Sequence, residues 1–156
     1  MAASIPTDAI ALLTADHQKV KQLFQRYEGA TDQKTRQQIV EQVFVELDTH
    51  AQLEETVFYP AFEQLADAEG KQLVAESLRE HQAVKDLIQK LRDLNAEEED
   101  AEFAAKFQEL MDRVDDHVED EETQLFPQAE AVLEEQLEDL RDEMQDLKQQ
   151  LLGAKP

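Results

Sequence analysis

Histidine and glutamate side chains recur in this sequence at a spacing that suits metal coordination. His50 is followed four residues later by Glu54, and His117 is followed four residues later by Glu121. On an α-helix, residues four apart lie one above the other on the same face, with Cβ atoms about 5–6 Å apart. Each histidine can therefore bind the same metal ion as its glutamate.

The two motifs belong to an internal repeat. His50 begins the segment HAQLEETVFYP and His117 begins HVEDEETQLFP, which share the frame H-x-x-x-E-E-T-x-x-aromatic-P. Upstream, the segment DHQKVKQLFQR around His17 corresponds to EHQAVKDLIQK around His81. All four histidines of the protein fall at repeated positions, so the chain resembles two copies of one helical hairpin.

The elements that carry these motifs are predicted to be helices. Strong helix formers dominate the sequence, only three glycines and four prolines interrupt it, and no strand-like alternation persists. Turn-forming or like-charged residues interrupt the apolar periodicity in three places, namely 29–32, 66–70 and 95–100. The long helices thus predicted lie near 8–29, 34–65, 71–94 and 101–130. A fifth helix, near 133–152, leads to Gly153 as its expected C-cap.

These helices predict an all-α fold. Short connections force neighbouring helices to run antiparallel, so the four long helices should form an up-down-up-down four-helix bundle. The short additional C-terminal helix carries an apolar stripe of fewer than three heptads, which we expect to pack on the bundle, with a dimer contact as the alternative. We therefore expect a single domain over residues 1–156, with the bundle at about 8–130, as a monomer or weak homodimer.

The histidines are predicted to face the bundle interior at one level. Each lies in an apolar stripe with steps of three or four, as in the series Val114, His117, Glu121 and Leu125. In antiparallel helices, two residues share a height when the turn lies midway between them in sequence. The midpoints between successive histidines fall at about residues 33, 65 and 99, beside or inside the predicted breaks.

A pair of metal ions would explain why Glu54 and Glu121 are placed on buried faces. Burying both carboxylates without partners would cost several kcal/mol or raise their pKa values strongly, and cations remove that penalty. Four imidazoles and two bridging carboxylates give each of two ions a nitrogen and oxygen donor set that suits iron better than magnesium or calcium. An oxo or hydroxo bridge would leave each ion near five-coordinate, with room for an exogenous ligand. A metal-free acidic interaction bundle is the alternative.

Composition limits the other classes of function. The chain has 37 acidic and 15 basic residues, for a formal charge of −22, which repels nucleic-acid backbones and anionic membranes. It has no cysteine, so disulfides and thiolate metal sites are excluded. No apolar run approaches the roughly 20 residues needed to cross a bilayer, and the N-terminus lacks the charged start of a signal peptide. We therefore expect a cytoplasmic protein that binds neither nucleic acid nor membrane.

The histidine and glutamate pattern resembles that of the hemerythrin-like, or HHE cation-binding, family, which is H…HxxxE…H…HxxxE. The matching residues are His17, His50, Glu54, His81, His117 and Glu121. In the family these residues bind a non-heme di-iron centre inside a four-helix bundle. The resemblance therefore implies one iron at His17 and His50, a second at His81 and His117, and bridges from both glutamates.

One departure from the oxygen-carrying hemerythrins changes the function that the resemblance implies. The carriers have two histidines four residues apart on the third helix, whereas His81 has Ser77 and Lys85 at those distances. Both irons are therefore expected to be open to ligands, which disfavours simple oxygen transport. The resemblance implies a protein that binds oxygen or reacts with peroxide or nitric oxide, including catalase-like or peroxidase-like chemistry. Iron or oxygen sensing is the alternative.

Acidic and aromatic residues next to the motif have two interpretations. The acidic residues are expected to face solvent or cap helices for the most part, with additional or supporting metal ligands as the alternative. They are Asp16, Glu55, Glu80 and Glu122. Tyr59 and Phe126, which precede prolines, are expected to pack in the core beside a kink. For Tyr59 the alternative is a redox or hydrogen-bonding role near the irons.

Overall fold

The protein is built almost entirely from helices. The computed structural model of the chain describes residues 6–94 and 100–153. Its elements are α1 (Ala9–Gly29), α2 (Gln33–Leu53), a π-helical segment π1 (Glu54–Phe58), α3 (Tyr59–Leu65), α4 (Ala68–Asp93), α5 (Asp100–Asp120), a second π-helical segment π2 (Glu121–Leu125), α6 (Phe126–Leu133) and α7 (Leu137–Gly153). Because α2, π1 and α3 are continuous, as are α5, π2 and α6, four long helices precede α7. This confirms the predicted all-α bundle with an added C-terminal helix.

Aspartates begin three of these helices. Asp8, Asp32 and Asp67 precede α1, α2 and α4, and each carboxylate accepts a hydrogen bond from the backbone N–H three residues later, at 2.9, 2.7 and 2.9 Å respectively. These bonds satisfy N–H groups that have no partner within the first helical turn. The connections before α2 and α4 are consequently short, 30–32 and 66–67, and they hold successive helices antiparallel.

Two predicted helix boundaries are wrong, and a third prediction falls partly outside the described residues. Gly70 was placed in a break but lies in the first turn of α4, because Asp67 caps that helix earlier and accepts a bond from the Gly70 N–H. Gly153 is the last helical residue of α7 rather than a left-handed C-cap, and no described glycine has a positive φ. Residues 95–99 of the third predicted break lie outside the described part of the chain.

Two apolar clusters form the core, one towards each end of the bundle. Large side chains of the first cluster, which includes residues of α7, include Leu13, Leu53, Phe58, Tyr59, Phe62, Leu125, Phe126, Leu133 and Met144. Those of the second include Phe24, Ile39, Phe44, Leu91, Phe107, Leu110 and Met111. On every long helix, the predicted metal ligands lie between residues of the first cluster and residues of the second. The ligands therefore occupy a polar layer between two apolar clusters.

The apolar stripe of α7 packs on the bundle. Leu137, Leu140 and Met144 are buried, and Met144 is fully inaccessible to solvent. Arg141 donates hydrogen bonds to the carbonyl oxygens of Pro6 and Thr7, at 3.3 and 3.0 Å, on the segment that precedes α1. Within residues 6–94 and 100–153, no helix has both the length and the apolar character that crossing a membrane requires.

The close approach of α3 and α6 to the start of α4 gives a test of this packing. A Cβ atom at Gly70 would lie 2.8 Å from the Ala66 Cβ and 3.0 Å from Phe62 Cζ. We expect Gly70→Ala to destabilise the protein by about 1–2 kcal/mol, because overpacking outweighs the gain in helix propensity. Thermal unfolding followed by circular dichroism would then show a lower midpoint.

Gly29 supplies the control for this substitution. It is exposed at the end of α1, and a Cβ atom there would have no neighbour within 4 Å. Gly29→Ala should change the free energy of unfolding by less than about 1 kcal/mol, in the stabilising direction. Equal midpoints for the two variants would contradict the packing described for Gly70.

Candidate metal centre

Six side chains from the four long helices meet in the polar layer between the two apolar clusters. They are the predicted ligands His17, His50, Glu54, His81, His117 and Glu121, and all six are buried. The structure thus brings together every residue that the sequence nominated for the metal site. The histidines come from α1, α2, α4 and α5, and each glutamate is the first residue of a π-helical segment.

The first half of the cluster joins two histidines to both glutamates. His17 Nε2 lies 3.2 Å from His50 Nε2. His17 Nε2 is also 3.1 Å from Glu121 Oε1, and His50 Nε2 is 3.3 Å from Glu54 Oε1. Four potential ligand atoms therefore face one small volume.

The second half repeats this arrangement with the other two histidines. His81 Nε2 lies 3.2 Å from His117 Nε2. His81 Nε2 is 3.1 Å from Glu54 Oε1, and His117 Nε2 is 3.6 Å from Glu121 Oε2. Each half thus has two imidazole nitrogens, and the two halves share Glu54 and Glu121.

These distances fit a pair of bound cations. Within each half, the four ligand atoms lie within 4.8 Å of one another. A metal about 2.1 Å from two ligands separates those ligands by about 3.0 Å at a right angle and about 3.4 Å at a tetrahedral angle. The observed nitrogen–nitrogen and nitrogen–oxygen separations of 3.1 to 3.6 Å therefore leave room for one ion in each half.

The carboxylate oxygens supply independent evidence for this fit. Both oxygens of Glu54 and Oε1 of Glu121 are buried, and no N–H or O–H group of the described chain is aligned to donate a hydrogen bond to them. Buried polar atoms are rarely left in this state, because the loss of hydration is not compensated. Cations between the glutamates and the histidines would compensate it.

The π-helical segments place the two glutamates. The Tyr59 N–H bonds to the Glu54 carbonyl, and the Phe126 N–H bonds to the Glu121 carbonyl, so each hydrogen bond spans five residues instead of four. Pro60 and Pro127 follow immediately, and proline lacks an N–H and crowds the carbonyl four residues before it. The local irregularity expected at these prolines thus takes the form of a wider helical turn, which is common at functional sites.

A carboxylate binds the outer nitrogen of every histidine. His17 Nδ1 lies 2.7 Å from Glu122 Oε2, and His81 Nδ1 lies 2.8 Å from Glu55 Oε2. An ionised carboxylate only accepts hydrogen bonds, so Nδ1 carries the proton and Nε2 is left to face the cluster.

The other two histidines are held by the residues that precede the first histidine of each repeat. His50 Nδ1 lies 3.1 Å from Asp16 Oδ2, and His117 Nδ1 lies 2.9 Å from Glu80 Oε1. The four acidic neighbours were expected mostly to face solvent or to cap helices. That expectation is wrong, since each of them contacts a histidine, although three remain partly exposed. The repeated dipeptides Asp/Glu-His and Glu-Glu were the signal that pointed to them.

The contacts of Tyr59 also go beyond the main sequence prediction, which was packing in the core. Its hydroxyl donates a hydrogen bond to Glu121 Oε2 and lies 3.4 Å from His81 Nε2. Its ring also stacks on His81, with centroids 5.6 Å apart, while Phe126 stacks on His17 at 5.8 Å in the other repeat. The two repeats therefore differ here, since only the first places a hydroxyl at the cluster.

Two of the histidines, His50 and His117, hold protons more strongly than usual when no cation balances the carboxylates. Burial disfavours a charged imidazole at His50, but Glu54 and Asp16 outweigh burial and raise its pKa well above the usual value. At His117, burial again opposes the charge, while the hydrogen bond to Glu80 and nearby carboxylates raise the pKa to about 9. A cation that enters must displace these protons, so metal binding and proton release are coupled.

The two glutamates respond differently to the same surroundings. Burial opposes ionisation of Glu54, yet His50 and its other partners hold its pKa well below the usual value. Burial, followed by the charge on Glu54, raises the pKa of Glu121. Burial and both carboxylates raise the pKa of Tyr59, which keeps its hydroxyl protonated as a donor to Glu121.

An apolar cavity of about 50 Å³ adjoins the four histidines. Its aliphatic walls include Val20, Leu47, Val84, Ile88, Val114 and Val118. Since a water molecule needs about 10–15 Å³ of such volume, the cavity has room for a few molecules of that size. The cluster thus has a confined apolar space next to its imidazoles.

The structure is a four-helix bundle that carries two such histidine pairs and two shared, buried glutamates. This combination is typical of one class of helical-bundle metal-binding proteins. The chain belongs to the hemerythrin HHE cation binding domain family, whose model matches residues 8–129. This confirms the family resemblance inferred from the motif. The matched region contains all six predicted ligands and ends before α7.

Two relatives match most of this chain but only part of their own length. The chain is 32% identical over 121 residues to an uncharacterized hemerythrin-like protein of Schizosaccharomyces pombe, covering 78% of this chain and 59% of that protein. It is 30% identical over 115 residues to a DNA nickase of a Nostoc species, covering 74% of this chain and 31% of the nickase. The chain thus spans about three-fifths of one relative's length and a third of the other's.

A solved structure has the same fold. The crystal structure of a hemerythrin HHE cation binding domain-containing protein from Mycobacterium kansasii superposes with a TM-score of 0.80 and 23% sequence identity. The match covers 94% of this chain and 88% of that one.

The carboxylates on the outer nitrogens can be tested through metal affinity. We expect Glu122→Ala to weaken metal binding by about 10–100-fold, because His17 loses the partner that orients its ring. Competition between the protein and a chelator for Fe²⁺ under anaerobic conditions measures this change. Glu119→Ala removes the same charge from an exposed position one turn earlier and should leave the affinity unchanged. Equal losses in both variants would show that only the overall charge matters.

Proposed function

We propose that this chain is a di-iron protein that binds oxygen or reacts with peroxide or nitric oxide inside the bundle. The observation that carries the proposal is the pair of buried carboxylates, Glu54 and Glu121, each shared between two histidine pairs and largely without hydrogen-bond donors. Positive charge would stabilise such a site, and the same arrangement occurs in both halves of the cluster.

The donor set favours iron over harder or softer cations. Each half offers two imidazole nitrogens and two carboxylate oxygens, a mixture that suits iron and zinc, whereas magnesium and calcium prefer oxygen alone. No cysteine is present to select a softer metal. Iron at this site would supply reversible electron transfer to or from a small oxidant, which zinc cannot do.

Residues of the chain would control what reaches the ions. The cavity of about 50 Å³ beside the histidines suits small molecules, and its mostly apolar lining favours uncharged ones. Oxygen, nitric oxide and hydrogen peroxide are small and uncharged, so all three suit this cavity.

Tyr59 places a proton-bearing hydroxyl at the cluster. Its hydroxyl donates to Glu121 Oε2 and keeps its proton because burial and the neighbouring carboxylates raise its pKa. It would hold the Glu121 carboxylate in place and keep a proton within reach of the His81 side of the cluster. Phe126 takes the corresponding position in the other repeat, but it has no hydroxyl and can neither bind a carboxylate in this way nor supply a proton.

The DNA-nicking activity of the Nostoc relative is not part of this proposal. The shared region is 31% of that protein, and this chain carries a formal charge of −22, which opposes contact with a phosphate backbone.

Anaerobic loading with iron tests the proposal directly. We expect two irons per chain and a visible spectrum that changes on addition of oxygen, hydrogen peroxide or nitric oxide, because both ion positions adjoin the cavity. Metal analysis, spectrophotometry and an assay of peroxide consumption measure these results. The double variant His117→Ala/Glu121→Ala should lose at least one iron and the spectral response.

The double variant Asp116→Ala/Glu119→Ala provides the matched control, since both side chains are exposed on the same helix. It should retain both irons and the response. A parent protein that binds no transition metal would overturn the proposal. A loaded protein whose spectrum is unchanged by all three molecules would overturn its reactive part.

A further inference from the structure

The C-terminal helix contacts the candidate metal centre through one side chain. Lys148 Nζ lies 2.8 Å from Asp16 Oδ1. The other oxygen, Asp16 Oδ2, lies 3.1 Å from His50 Nδ1. A continuous series of polar contacts therefore connects α7 to a predicted metal ligand on α2.

The apolar face of α7 sets the position of Lys148. Met144 is fully buried against the bundle, and Lys148 follows four residues later on the same face. Three-quarters of the lysine side chain is covered, with 25% of it exposed, while its ammonium group meets Asp16. Docking of α7 and formation of this ion pair thus depend on the same helix face.

The contact has no equivalent in the second repeat. Glu80 corresponds to Asp16 and holds His117, but its side chain is 36% exposed, against 7% for Asp16. Among the described residues, no lysine or arginine forms an ion pair with Glu80. Asp16 is therefore the more buried carboxylate and has the greater need of a cationic partner.

Among the described residues, the lysine that pairs with an outer carboxylate of the other half is Lys85, which belongs to the bundle itself. Lys85 lies 3.0 Å from Glu55, which holds His81, but it is 40% exposed and lies one turn from His81 on α4. Lys148 instead lies beyond residues 8–129, the part of the chain that the family model matches. Lys148 thus contacts the outer carboxylate of one half from outside the matched region.

We propose that Lys148 is a positioning residue that strengthens ion binding selectively in the half formed by His17 and His50. This inference rests on the proposed function. Lys148 binds one oxygen of Asp16 and so directs the other to His50 Nδ1, which fixes the imidazole with Nε2 towards the ion. Without the lysine, the buried carboxylate has one unpaired oxygen and is free to turn away from the histidine.

Fe²⁺ titration in two complementary backgrounds tests the selectivity. His117→Ala impairs the second half, and His50→Ala impairs the first. We expect Lys148→Met to weaken the remaining Fe²⁺ affinity by about 10–100-fold in the His117→Ala background and to leave it unchanged in the His50→Ala background. Anaerobic calorimetry measures both affinities without any assay of activity.

Two further variants separate positioning from helix docking. Lys148→Arg keeps the cation and should restore most of the affinity. Arg141→Ala removes the bonds between α7 and residues Pro6 and Thr7 but leaves Lys148 in place, so it should lower the thermal midpoint without selective loss of affinity.

Each outcome decides the inference. Equal weakening in both backgrounds, no weakening in either, or the same selective loss in Arg141→Ala would overturn it. Absence of Fe²⁺ binding by the parent chain would overturn the proposed function itself, and it is recognised before any variant is compared. Selective loss that Lys148→Arg restores supports the inference.

Discussion

The burial of two carboxylates at the centre of the bundle is the constraint on which the rest of the structure depends. Glu54 and Glu121 are 0% and 1% exposed, and three of their four oxygens receive no hydrogen bond within the described chain. Such groups stay ionised only when positive charge or hydrogen-bond donors lie beside them. Cations bound by the four surrounding histidines would supply that charge, and in their absence the carboxylates raise the pKa values of His50 and His117.

The architecture supports this layer in three ways. Apolar clusters flank it on both sides, and each glutamate begins a widened helical turn that precedes a proline. Outer carboxylates then fix the four imidazoles by binding their Nδ1 atoms. Because the two repeats supply these parts in the same order, the ligands form two halves with nearly equal geometry. The hydroxyl of Tyr59 and the ammonium of Lys148 break that equality, each on one side only.

Sequence spacing predicted the bundle and the meeting of the six ligands because both follow from helical periodicity and the positions of turns. His50 and Glu54 share a helix face whatever their neighbours are, and short turns bring the histidines to one level. Contacts between helices were harder to predict. Asp16 reaches His50 on another helix, and Lys148 reaches Asp16 only after α7 docks, so neither contact follows from spacing along one helix. The role of Tyr59 depended on the widened turn, which rotates the residues after Glu54.

The central claim is that two ions lie in the cluster and share the two glutamates. An anomalous-difference map from crystals of the iron-loaded protein, collected at the iron absorption edge, measures this most directly. The account predicts two peaks, one bounded by His17 and His50 and the other by His81 and His117, with Glu54 and Glu121 contacting both. A single peak, no peak, or peaks outside these two histidine pairs would contradict it.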